Sequence, residues 1–154
     1  MAIGCSSNDS KTNLTSSAAW TTSYPYEFMD DDLDCTEVLK LSDDGKLSEE
    51  RTFSSKGVTV AKINLTGTWE ILADSGKEAF VIHYLPEIEV KNINLAGSHF
   101  DLFKDDFLMY ISGDPDGEES ENYDESLIIA ESSPEKLILT DDAGEQQFIY
   151  TPIK

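Results

Sequence analysis

Leu39-Lys40-Leu41-Ser42-Asp43-Asp44-Gly45-Lys46-Leu47 decides the fold class. Apolar and polar residues alternate on both sides of an Asp-Gly pair, and Asp and Gly accept the positive φ that a tight hairpin turn demands. The arrangement returns at Asp74-Ser75-Gly76-Lys77, between Ile71 and Phe80, and at Asp141-Asp142-Ala143-Gly144, between Leu139 and Phe148. Three such hairpins in series describe an antiparallel meander.

Working outward, short runs with a period of two fill most of the chain. They predict strands near Trp20–Phe28, Thr36–Leu41, Lys46–Phe53, Val58–Ile63, Thr68–Ala73, Glu78–Leu85, Ile88–Leu95, Phe107–Ser112, Ser126–Glu131, Lys136–Thr140 and Gln146–Thr151. Some neighbours merge into one bent strand. No stretch sustains an i, i+3, i+4, i+7 apolar stripe, so no helix is expected. Many short strands with frequent turns fit an all-β domain, and an up-and-down meander of about eight strands closing into a barrel removes the exposed edges.

The 154 residues leave room for one domain, expected over residues 18–154. Residues 1–17 are polar and read as a flexible tether. The 31 acidic and 11 basic side chains give a formal net charge of -20. Such a surface repels phosphate backbones, which argues against nucleic acid and favours solubility or a basic protein partner. Two cysteines, Cys5 and Cys35, are too few for a disulfide scaffold, and no zinc spacing occurs. No apolar run is long enough for a spanning helix.

Ala2-Ile3-Gly4-Cys5 looks like the end of a lipoprotein signal, in which small residues precede a lipid-bearing cysteine, and the polar segment after Cys5 looks like a mature tether. The expectation is an exported monomer at a membrane face or cell surface, touching the membrane only through a lipid on Cys5. The alternative is a frayed terminus with an incidental Cys5.

The order of the segments also resembles a family. Trp20 opens the first strand, followed by the Leu39–Leu47 hairpin and then Leu65-Thr66-Gly67-Thr68-Trp69-Glu70-Ile71; Lys136–Tyr150 closes the chain with a last hairpin. This pattern over residues 18–151 is similar to the lipocalin-like lipoproteins of the Bacteroidetes type. The resemblance implies a calycin-like β-barrel, export and a Cys-linked lipid, and supplies no catalytic residue.

Chemistry-bearing residues are sparse. His83 and His99 are the only imidazoles, no nucleophile elbow is present, and no enzyme activity is expected. Aromatic residues lining a barrel, chiefly Trp20, Trp69, Phe80, Tyr84, Phe107 and Tyr150, are the candidate ligand-binding set for a small apolar or amphipathic molecule. The plainer alternative is that they fill the interior. Asp114, Asp116, Glu118 and Glu125 have the oxygen spacing of a weak calcium loop, but Glu119 stands where the sharp turn needs Gly; an acidic hairpin tip is the simpler reading. No other cofactor is expected.

Overall fold

The computed structural model describes residues 5–28, 31–85, 88–112, 123–141 and 144–153. Strands β1 (Ala19–Phe28), β2 (Asp31–Leu41), β3 (Lys46–Ser55), β4 (Val58–Asp74), β5 (Lys77–Tyr84), β6 (Glu89–Asn92), β7 (Tyr123–Ser133), β8 (Lys136–Thr140) and β9 (Gln147–Ile153) accompany two helices, α1 (Cys5–Thr15) and α2 (Gly97–Ser112). All pairings are antiparallel. The ladder runs β1-β2-β3-β4-β5-β7-β8-β9, and β9 returns to β1 through Ala19 opposite Ile153, so the sheet closes on itself with eight strands. Short β6 is an extra strand laid on β4, opposite Ala61–Asn64.

The turns follow the local chemistry. Lys56 and Gly57, like Ser75 and Gly76, take positive φ as consecutive pairs, which matches the twist of the strands they join. Gly45 and Gly144 also take positive φ in the two other predicted hairpins. Trp69 locks the first hairpin to β4: its indole N–H donates to the Ser42 carbonyl at 3.0 Å and its backbone N–H to Gly45 at 2.9 Å. β4 pairs with both β3 and β5 around the barrel, and these two ladders overlap at Gly67, which pairs with Leu47 on one side and Tyr84 on the other. A Cβ there would sit 2.1 Å from the His83 carbonyl oxygen, so only glycine permits this crossing.

Two segments depart from expectation. The predicted strand at Phe107–Ser112 belongs to α2. Phe100, Phe103 and Phe107 fall on one helical face, and Phe103 and Phe107 are fully buried against Phe28 and Phe53 at one barrel end. Burying these rings outweighs the local alternation of Phe107, Met109 and Ile111. The segment read as a flexible tether is, from Cys5, the helix α1 lying across the opposite end. Leu14 is buried there, the Trp20 indole donates to the Leu14 carbonyl at 2.8 Å, and Ser10 meets Glu78 and Ser132 at 2.8 and 3.2 Å. One apolar anchor leaves no stripe to read, while capping by hydrogen bonds to the barrel supplies the rest. Neither described helix is long and apolar enough to cross a membrane.

Candidate functional site

The barrel interior is apolar at both ends and charged at its waist. Along β2, Leu33, Cys35, Glu37, Leu39 and Leu41 all point inward; along β3, Leu47, Glu49, Arg51 and Phe53 do the same. Strand alternation therefore carries two carboxylates and a guanidinium into the core in the same phase as leucines. The side chains of Glu37, Glu49 and Arg51 are at most 5% exposed.

Burying charge is costly unless every partner is present, and here they are. Arg51 Nε lies 2.8 Å from Glu37 Oε1 and 2.6 Å from Glu49 Oε1. The Tyr24 hydroxyl donates to Glu37 at 2.8 Å, Tyr150 donates to Glu37 at 2.6 Å, and Tyr84 donates to Glu49 at 2.7 Å. Glu125 of β7, with 30% of its side chain exposed, stands 3.8 Å from Arg51. The guanidinium also lies 5.5 Å from the centre of the Phe107 ring, coupling the waist to α2.

These contacts set the protonation states. Burial pushes Glu49 up to about 8, against the pull of Arg51 and reinforced by Glu37. Burial also pushes on Glu37, but Arg51 and hydrogen bonds from Glu49, Tyr150 and Tyr24 outweigh it and hold that carboxyl below its ordinary value. Burial opposes the charge of Arg51, and Glu37 and Glu49 overcome it, so its pKa rises. Partial burial raises Glu125. The Cys35 thiol, free and buried, is pushed up to about 12 by burial and is an inert core residue.

Among the described residues, the space left at the waist is about 10 Å³, bordered by Tyr24, Glu37, Arg51, Phe80, Tyr84 and Tyr150. That admits about one water molecule. The six aromatic residues expected to line a ligand cavity are all buried; Phe80, Tyr84 and Tyr150 border this small space, and Trp20, Trp69 and Phe107 do not. Trp20 seals the α1 end, Phe107 belongs to the α2 plug, Trp69 packs on Phe80 with ring centres 5.9 Å apart, and Tyr84 and Tyr150 serve the carboxylates.

Larger hollows lie outside, at the barrel ends. An open concavity of about 590 Å³ at the α1 end is bordered by Ala18, Leu41, Leu47 and Leu85, with Lys40 and Lys46 beside them; among the described residues no carboxylate lines it. At the α2 end, an open concavity of about 510 Å³ is flanked by Glu27, Phe28, Leu102 and Asp106.

Of the calcium candidates, Asp114, Asp116 and Glu118 lie outside the described residues, and Glu125 faces Arg51 from a strand. Among the described residues no group of three or more His, Cys, Asp or Glu side chains is placed to hold a metal ion. His83 lies on the outer surface of β5, with Nδ1 2.9 Å from Asp124 and Nε2 3.4 Å from Glu70. Its hydrogen bond with Asp124 leads the upward shift of its pKa. His99 opens α2. The backbone of Cys5 begins α1.

Sequence reasoning passed over Glu37, Glu49 and Arg51. The mark was available: in both strands they occupy the phase of the leucines, where a solvated charge would break the pattern. No family model matches the chain, and no curated protein matches it.

Proposed function

We propose that the protein is a non-catalytic envelope protein of the lipocalin-like lipoprotein type, exported and anchored by a lipid on Cys5. In this reading it holds a small amphipathic ligand at the mouth of a filled barrel. The observation that carries it is the contrast in volume: about 10 Å³ inside the barrel against about 590 Å³ in the apolar concavity at the α1 end. The second figure is within the range of small-molecule sites. The ligand seat thus moves from the interior aromatics to Leu41, Leu47 and Leu85, with Lys40 and Lys46 as polar neighbours. Leu85 is half exposed at 49%, an unfavourable state for a leucine that a ligand would relieve.

Native mass spectrometry of protein purified from its own host tests both parts. A stoichiometric small-molecule adduct and a lipid mass on Cys5 are expected. Titration with decanol should then saturate at one site, and Leu85→Asp should weaken binding at least tenfold while leaving the unfolding transition in place. Decanol binding that ignores Leu85→Asp moves the ligand elsewhere, and an unmodified Cys5 removes the anchor.

A second reading, an acidic module that docks a basic protein or inhibits a basic enzyme, is favoured by the net charge of -20 and by Glu27 and Asp106 beside the α2-end hollow. Its attraction would be exposed to solvent. Binding to a cationic partner should therefore fall steeply with salt, and insensitivity to salt would end that reading.

A further inference from the structure

We propose that the waist of the barrel is a proton-binding site: Glu37 and Glu49 together retain one proton beside Arg51, and its release to solvent loosens the barrel. The geometry carries this. A single Nε–H of Arg51 faces two carboxylate oxygens, at 2.8 and 2.6 Å, and one guanidinium charge confronts Glu37, Glu49 and Glu125. The donors are divided unequally. Glu37 accepts from two phenols, Tyr24 and Tyr150, one on each oxygen, whereas Glu49 accepts from one phenol, Tyr84, and from the Arg51 Nε–H. With one guanidinium against three carboxyls, one acid must keep its proton; burial together with the neighbouring Glu37 charge makes that acid Glu49, and Glu37 stays the anion.

Loss of that proton would place a second buried carboxylate against the same guanidinium. The remaining space, about 10 Å³, cannot rehydrate it with more than about one water. The groups facing the pair are Tyr24 from β1, Cys35 from β2, Arg51 from β3, Tyr84 from β5, Glu125 from β7 and Tyr150 from β9. Tyrosine and cysteine are neutral in both folded and unfolded chains through neutral pH, so they do not mask the carboxyl proton there.

The sign follows from proton counting. An unfolded glutamate titrates near 4.3, and Glu49 in the barrel titrates at about 8. Between these values the folded chain binds one more proton than the unfolded chain. Stability is fully present below the lower value and is lost as pH rises through the upper one. The folding equilibrium constant should fall about tenfold per pH unit through this window.

His83, its pKa raised by the hydrogen bond with Asp124, contributes with the same sign, so the test uses the full chain carrying His83→Gln. Urea unfolding from about pH 5.5 to about pH 8, between the unfolded and folded Glu49 values and below the range of an unfolded thiol, should show the slope in this parent and a much shallower profile after Glu49→Gln. Glu125→Gln should keep the slope. An unchanged slope in Glu49→Gln overturns the proposal. Should Glu49→Gln fail to fold, infrared spectra of the parent decide. A protonated-carboxyl band present at neutral pH, and lost reversibly above the Glu49 titration, supports the proposal. Absence of that band from the folded protein at neutral pH overturns it.

Discussion

The protein carries two ionic clusters built from similar groups in opposite surroundings. Inside the barrel, Arg51 faces Glu37, Glu49 and Glu125; outside, His83 on β5 faces Glu70 on β4 and Asp124 on β7. Separations run from 2.6 to 3.8 Å inside and from 2.9 to 3.4 Å outside. Coulomb energy at about 4 Å changes from about 1 kcal/mol in water to about 4 kcal/mol at an effective dielectric of 20, so distance alone says little about consequence. The buried cluster also bears a desolvation cost of several kcal/mol per ion, which explains its full complement of tyrosine donors. The outer cluster has water for the same purpose, and its His83 and Asp124 side chains stay 41% and 53% exposed. One arrangement must keep every partner if its charges are to stay buried, and the other is a surface contact.

The sharpest way to break this comparison is to remove the buried cation. Arg51→Met keeps a long side chain against Phe107 but strands the carboxylates, and a loss of about 3–5 kcal/mol is expected from urea denaturation. Adding Glu37→Leu and Glu49→Met to that variant should restore much of the loss, because an apolar waist has no charge to satisfy. If Arg51→Met alone unfolds at the parent midpoint, the waist is wetter than its geometry indicates.

A smaller effect is expected from Tyr150→Phe, which deletes only the hydroxyl that meets Glu37 at 2.6 Å. A hydrogen bond to a buried charge contributes about 1.5–3 kcal/mol, and the ring itself stays packed. The loss should appear as a lower urea midpoint with an unchanged m value. The outward-facing partner of the comparison, Asp124→Asn, should move the midpoint far less.

How far these features could be read in advance differs by element. The hairpins at Gly45 and Gly76 were legible because the turn residues and flanking alternation agree, and both are local. Closure was legible only as an inference about edges, since the Ala19–Ile153 pairing joins the two ends of the barrel and leaves no local trace. Helix α2 was obscured because Phe107, Met109 and Ile111 alternate as a strand does, and the burial of Phe103 under Phe28 and Phe53 is a tertiary fact. Helix α1 has one buried leucine and no stripe. The charged waist was readable in phase but was passed over, because glutamates in so acidic a chain look like surface; only the neighbours on four other strands show that these two are different.

The weakest expected effect sharpens the comparison from the outside. His83 has its pKa raised by the hydrogen bond with Asp124 and by Glu70, so its folded value lies above the unfolded value near 6.5. A raised folded pKa means the contribution is complete below about 6.5 and disappears as pH rises through the folded value. Because the group is exposed, solvent screening limits its worth to about 0–1 kcal/mol. His83→Gln should therefore lower the urea midpoint slightly at pH 5.5 or so and leave it unchanged at about pH 9, and added salt should erase the difference. The slope assigned to Glu49 should persist in the same salt, since no mobile ion reaches the waist. Salt that flattens both profiles together would place the interior carboxyls in contact with solvent and dissolve the distinction between the two clusters.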